Sequence, residues 1–143
     1  MANTKRKPAA SLALVDSCGW LEYVTGGANA DFFEAALLDT GKLIVPALCL
    51  YEVGKRMLIT QGETAALEVL EMMKKSRVVQ LAPDDYFAAA KTSVTHKLAM
   101  ADALIWQTSQ SFGATLYTQD SGLKAMRGVQ FQSKSFDSAL FIQ

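Results

Sequence analysis

Five short apolar runs divide this chain, and stretches with helical spacing fill the gaps between them. The runs cover residues 11–16, 42–45, 77–81, 114–118 and 129–132. They are almost continuously hydrophobic and lack clean alternation, the pattern of strands buried on both faces. Residues 30–38 follow a Gly26-Gly27 turn and read as a helix. Pro46 suits the first turn of a second helix reaching about residue 60. In 63–75, Ala66, Val69, Leu70 and Met73 form an apolar stripe at i, i+3, i+4, i+7, and Lys74 and Lys75 fall in the last turn. Pro83-Asp84-Asp85 opens another helix with acids at its positive end. A last helix, 100–112, stops at Gly113. Strands that alternate with helices imply α/β architecture, a parallel sheet with helices on both faces.

Four carboxylates sit awkwardly in this pattern. Asp16 closes the first apolar run, and Asp120 follows the fourth. Glu52 lies inside Ala47-Leu48-Cys49-Leu50-Tyr51-Glu52-Val53. Asp102 lies within an apolar segment from Leu98 to Trp106. Removing a carboxylate from water costs several kcal/mol unless it is paired or binds a metal. In an open α/β sheet, ligands bind beyond the carboxyl ends of the strands. Asp16 and Asp120 stand at two such ends, and Glu52 and Asp102 lie in helices able to lean over the same edge. Each acid also has a structural reading. Asp16 and Asp120 can cap short helices starting at Ser17 and Ser121. Glu52 can pair with Lys55 or Arg56 one turn on. Asp102 has the weakest such alternative, because Leu98, Ala99, Ile105 and Trp106 share its helix face.

Bulk composition narrows the function classes. At 143 residues the chain suits one domain with one core. Fourteen basic residues balance fourteen acidic ones, so any basic surface must come from local clustering. No apolar stretch approaches the roughly 18 residues that span a bilayer. Residues 1–10 read as a loose basic N-terminal tail, too weakly apolar for a signal sequence. Cys18 and Cys49 make no CxxC pair and read as reduced thiols, which suits a cytoplasmic protein. Neither a GxGxxG nor a GKS/T phosphate loop is present.

The acids and their surroundings resemble the PIN-domain nucleases, and especially VapC-like toxins of bacterial toxin–antitoxin pairs. The resemblance runs from about Leu12 to Phe131. Val15-Asp16-Ser17-Cys18-Gly19-Trp20-Leu21 is similar to the family's first motif, an Asp ending the first strand with a hydroxyl residue after it. Val45-Pro46 through Tyr51-Glu52-Val53 is similar to the second, a Glu in the helix after the second strand. Met100-Ala101-Asp102-Ala103-Leu104-Ile105-Trp106 and then Gly113 through Asp120 resemble the most specific stretch, D-A-x-I, a helix, a turn, an apolar strand and T-x-D. One departure stands out. Many members carry a further acid two residues past the last Asp and then Phe, where this chain has Gly122 and Leu123, so one metal or two is left open.

The resemblance implies a three-layer α/β/α domain over residues 11–143 with a central five-stranded parallel sheet. It implies a bound Mg²⁺ or Mn²⁺ and hydrolysis of RNA. All-oxygen ligands suit a hard cation of that kind. Asp16 and Asp102 are then the principal ligands, Glu52 and Asp120 hold metal or water, and Thr118 and Ser17 support the site. Lys55, Arg56, Lys97, Lys124 and Arg127 flank the acids in sequence and are candidate RNA phosphate contacts, though ordinary solvated surface explains each as well. His96 has no metal-type neighbour and reads as a solvated or core-edge residue. Trp20 and Trp106 read as core or interface residues. The resemblance also implies a homodimer and an antitoxin seated near Trp20, Leu21, Phe32, Leu50 and Met57, residues that would equally fill the monomer's own core. Two other readings stand beside the nuclease. One is a receiver-like phospho-acceptor domain, for which the paired acids after the first strand and the Asp ending the third are missing. The other is a PIN-like interaction module without activity.

Overall fold

The computed structural model describes residues 11–134. The expected basic tail and the end of the expected domain, 135–143, lie outside the described residues. Five strands form one sheet: β1 (Leu12–Val15), β2 (Leu43–Pro46), β3 (Arg77–Val79), β4 (Ala114–Thr118) and β5 (Val129–Phe131). Their order is β3-β2-β1-β4-β5, and every pairing is parallel. The helices are α1 (Ser17–Val24), α2 (Ala30–Leu38), α3 (Ala47–Thr60), α4 (Glu63–Met73), α5 (Pro83–His96) and α6 (Met100–Ser111). Right-handed crossovers put α1–α4 on one face and α5–α6 on the other. The packing follows that division: α1 lies against α2 and α3, α3 against α4, and α5 against α6.

The expected strand sites all hold strands. The central ones are dry: Leu14, Val15, Leu43, Ile44, Val45 and Leu116 are buried. In register, Leu14 is flanked by Ile44 and Leu116. The edge strands are shorter than their apolar runs, because only one side of each has a partner. β3 stops at Val79 rather than residue 81, and its Arg77 and Val78 are exposed.

Three local expectations are corrected. Pro46 ends β2 and precedes α3 instead of lying in its first turn; its φ of −59° suits both places, and at a strand's last position it forfeits little of the ladder. Lys74 and Lys75 lie past the end of α4. β4 alternates between buried and half-buried residues, since Thr115 and Tyr117 meet only partial cover, Tyr117 from the Phe32 ring 6.0 Å away.

The chain reverses its direction of travel across the sheet between β1 and β4. Strands β2 and β3 are added on one side of β1, then β4 and β5 on the other. This switch point leaves a crevice beyond the carboxyl ends of two adjacent strands. Asp16 and Asp120 follow those strands.

Candidate active site

Asp16 is set by three elements. β1 delivers it to the sheet edge, where it is 3% exposed. Its Oδ1 accepts from the Gly19 backbone N–H at 2.9 Å, capping α1, and its Oδ2 accepts from the Thr118 hydroxyl at the end of β4. The helix-cap reading is therefore correct, but it accounts for one oxygen only. Burial pushes the Asp16 carboxyl up to about 6, and repulsion from Asp120 and Glu52 adds to the rise against the two hydrogen bonds.

Gly19 makes this turn possible. A Cβ there would stand 2.5 Å from Val15 Cγ1 and 2.7 Å from the Phe33 ring. Only a bare backbone lets α1 start so close to β1 and aim its N–H at Asp16.

Asp102 occupies the third position of α6, whose N-cap Ala99 has no capping side chain. An acid there benefits from the helix dipole. Even so, its carboxyl is held well above the usual range by burial, by a hydrogen bond to the Asp120 carboxyl, and by the charges of Asp120, Asp16 and Glu52. Asp120 in turn accepts from the Gly122 N–H at 2.8 Å, so it also caps the 3₁₀ turn Ser121–Leu123. A Cβ on Gly122 would lie 3.2 Å from Asp120 Oδ1 and 3.7 Å from Asp102 Oδ2, which shows that both acids face one small space. Glu52, half-buried on α3, accepts from the Ser17 hydroxyl at 2.5 Å and not from Lys55 or Arg56. Among the described residues, none of the four acids forms an ion pair; the Lys74–Glu71 pair lies elsewhere.

All four carboxylates thus share one electrostatic neighbourhood, and among the described residues no cation is ion-paired with any of them. Among the described residues, no three Asp, Glu, His or Cys groups converge closely enough to hold one ion. Two of the acids rest on the nearest hydroxyls instead: Asp16 on Thr118 and Glu52 on Ser17. A carboxylate out of water takes whatever hydrogen bond is at hand. The donor set is all oxygen, and two of its members, Asp16 and Asp102, have carboxyls raised by burial first and by neighbouring acids second. That is the chemistry a hard divalent cation relieves.

The thiols nearby are poor nucleophiles. Burial pushes the Cys49 thiol up to about 12, and partial cover beside the carboxylates pushes Cys18 up to about 11. Both cysteines are free.

The expected basic groups scatter. Lys55 and Arg56 are exposed one turn beyond Glu52, with Lys55 Nζ 5.9 Å from the Tyr51 ring. Lys97 ends α5 in a left-handed conformation, φ 56°, just before α6. Lys124 Nζ lies 5.5 Å from the Phe131 ring. Arg127 is apart from the others. Its guanidinium donates to Gln110 Oε1 at 3.1 Å, and Gln110 is eight residues past Asp102, about 12 Å along the helix axis. His96 is exposed in that same region, among Lys91, Trp106 and Arg127.

Four residues around the site do not stand out in the sequence. Lys134 is close enough to Cys18 to oppose the rise of its pKa. Glu22, Asn29 and Gln119 form a polar cluster at the end of β4. Asn29 and Gln119 are uncharged amides of common surface types, 90 residues apart, and no local pattern marks them.

A profile of the PIN domain matches residues 13–129. This chain belongs to the PIN-domain family. Solved structures with this fold include a toxin–antitoxin complex from Klebsiella pneumoniae, at 17% identity and TM-score 0.71, covering 86% of this chain and 99% of that one. A protein from Pyrobaculum aerophilum aligns at 19% identity and TM-score 0.67, over 92% of this chain and 88% of the other. A sarcin–ricin-loop-cleaving VapC toxin from Mycobacterium tuberculosis aligns at 18% identity and TM-score 0.66, over 80% and 95%. No curated protein sequence matches the chain.

Trp20 and Met57, expected near a partner groove, are buried at 1% and 4% exposure, and Met57 also lines a surface cleft. That cleft lies between α1, α3 and α4. It measures about 750 Å³ and is lined by Tyr23, Val24, Gln61, Ala65, Val69 and Met72 among others. No helix among the described residues is long and apolar enough to cross a membrane.

Proposed function

We propose that this chain is a metal-dependent ribonuclease that hydrolyses RNA phosphodiester bonds with Mg²⁺ or Mn²⁺, and that it is the toxin of a type II toxin–antitoxin pair. The observation that carries this reading is the group of Asp16, Glu52, Asp102 and Asp120 at the β1/β4 switch point, none of them ion-paired among the described residues. Such a group is costly in a protein that does not use it.

Asp16 and Asp102 would hold the ion, with Glu52 and Asp120 completing the oxygen donor set. A bound divalent ion supplies a deprotonated water at neutral pH and offsets charge on the attacked phosphate. The chain's own contribution is positioning. The Thr118 hydroxyl and Gly19 N–H fix both oxygens of Asp16. Ser17 fixes Glu52. Asp102, whose carboxyl is held above its usual range, would have to be deprotonated on loading.

Partners follow from the same reading. Toxin–antitoxin complexes are among the structures of this fold, and the cleft between α1, α3 and α4, lined by apolar side chains together with Thr25, Gln61 and Glu68, would seat an antitoxin segment. A homodimer would cover the exposed apolar residues of α5 and the start of α6, where Phe87 is 69%, Val94 81% and Met100 73% exposed. Free cysteines and the absence of a spanning helix among the described residues suit the cytoplasm.

The test is cleavage of a structured RNA by the purified protein with Mg²⁺ or Mn²⁺. Chelator should stop it, and Asp16→Asn should cost several orders of magnitude. Cleavage that survives both would overturn the reading. Light scattering at micromolar concentration that gives the mass of one 15.5 kDa chain would remove the homodimer.

A further inference from the structure

Asn29 is the residue before α2, where an Asn side chain normally caps the helix. Here it makes no cap. Its amide nitrogen reaches across the fold and donates to Gln119 Oε1 at 2.9 Å and to the Ser133 carbonyl at 3.0 Å. Those partners are 90 and 104 residues away in sequence. The Gln119 amide is held at its other end too, where Nε2 donates to Glu22 Oε1 at 3.4 Å. The second oxygen of Glu22 accepts from the Asn29 backbone N–H at 2.8 Å. Asn29 and Gln119 are buried, at 8% and 7% exposure.

The cluster joins the end of α1, the entry to α2, the loop after β4 and the segment after β5. Gln119 is the peptide link between Thr118, which holds Asp16, and Asp120, which faces Asp102. Ser133 immediately precedes Lys134. A helix gives up its cap and two amides are buried to fix the position of one short loop. Neither cost serves the apolar core, which lies beneath the strands.

We infer that Asn29, acting through Gln119, is a positioning residue for the acidic site: it fixes the Thr118–Asp120 loop so that Asp16 and Asp120 are placed to receive a divalent cation. Glu22 orients the Gln119 amide and holds the Asn29 backbone. This rests on the metal-dependent reading above.

The test is calorimetric titration of the full chain with Mn²⁺, without substrate. Asn29→Ala removes the amide, and Asn29→Asp keeps its shape while turning the donor into an acceptor facing two acceptors. Each should weaken Mn²⁺ binding by about ten-fold or more, the usual effect of losing a group that orients metal ligands. Gln119→Met keeps the volume of Gln119 without its hydrogen bonds and should match Asn29→Ala. The double variant should be no weaker than either single one, because both break the same hydrogen bond. Leu37→Val, at the far end of α2, controls for simple destabilisation and should retain the wild-type affinity well below its melting temperature. Wild-type affinity in Asn29→Ala, or the same weakening in Leu37→Val at matched melting temperature, would overturn the inference alone. A wild-type chain that takes up no Mn²⁺ at millimolar concentration would overturn the metal reading and this inference with it.

Discussion

The Thr118 hydroxyl donates to the Asp16 carboxylate across 102 residues of sequence, from the end of β4 to the end of β1. The same hydroxyl accepts from the Asp120 N–H at 2.9 Å. One side chain thus ties two acids of the site to each other at the point where the sheet reverses.

Replacing that hydroxyl isolates its role. Thr118→Val keeps the β-branched shape in a fully buried position, so packing should hold. It leaves a buried Asp16 oxygen and the Asp120 N–H without partners, which costs about 1–3 kcal/mol for each group left bare. Urea denaturation at pH 7.5 should show a destabilisation of about 2–6 kcal/mol for the two groups together and an unchanged m-value. Unaltered stability would mean that water replaces the hydroxyl.

Acid titration should stabilise the metal-free protein. The folded pKa of Asp16 is about 6 against 3.8 unfolded, so between these values the folded state binds more protons than the unfolded one. Stability must then fall as pH rises through that window, by on the order of 3 kcal/mol from Asp16 in all. Asp102 is shifted in the same direction. Melting temperature in chelator should therefore rise from pH 7.5 to pH 5.5. Asp16→Asn and Asp102→Asn should be more stable than the parent chain at neutral pH, and adding Mn²⁺ should reverse that order. A chelated protein most stable at pH 7.5 would contradict the burial assigned to these acids.

The parts legible in the sequence are those with a cost or a period. The central strands betray themselves because burial on both faces demands unbroken apolar runs. Asp16 and Asp102 betray themselves because apolar neighbours make a carboxylate expensive. Helix α1 is legible only as a cap after Asp16, since Ser17-Cys18-Gly19 carries no apolar stripe and Gly19 disfavours a helix. Arg127 follows Asp120 closely in sequence, yet the turns at Ser121–Leu123 and Gly128 carry it to the other end of α6. The Glu22–Asn29–Gln119 cluster is created entirely by chain crossings, and its residues have no unusual local surroundings.

Lys97 offers a test in which stability and function separate. It is the one non-glycine residue with positive φ among the described residues, and it closes α5 with the Leu98 N–H bonded to the Ser93 carbonyl at 3.1 Å. A lysine in this conformation is strained by roughly 1 kcal/mol relative to glycine. Lys97→Gly should therefore raise the melting temperature by a few degrees. If its ammonium also contacts RNA, the same variant should bind RNA more weakly. A lower melting temperature would show that the lysine stem contributes packing beyond the turn.

The last expectation concerns which cations meet the RNA. Arg127 is committed to Gln110 about two helical turns from Asp102, whereas Lys134 lies by Cys18, next to Asp16. A phosphate at the acids is within the field of Lys134 and remote from Arg127. In Asp102→Asn, in which the proposed cleavage would be suppressed, RNA affinity can be followed against salt by fluorescence anisotropy. Removing one cation that neutralises a phosphate should lower the steepness of the logarithmic salt dependence by somewhat less than one, about 0.7 for a single strand. Lys134→Ala should lower it by that amount and Arg127→Ala should leave it unchanged. The opposite ranking would place the RNA path along α6 and the face that carries His96 and Trp106, and would move the substrate groove away from the end of β5.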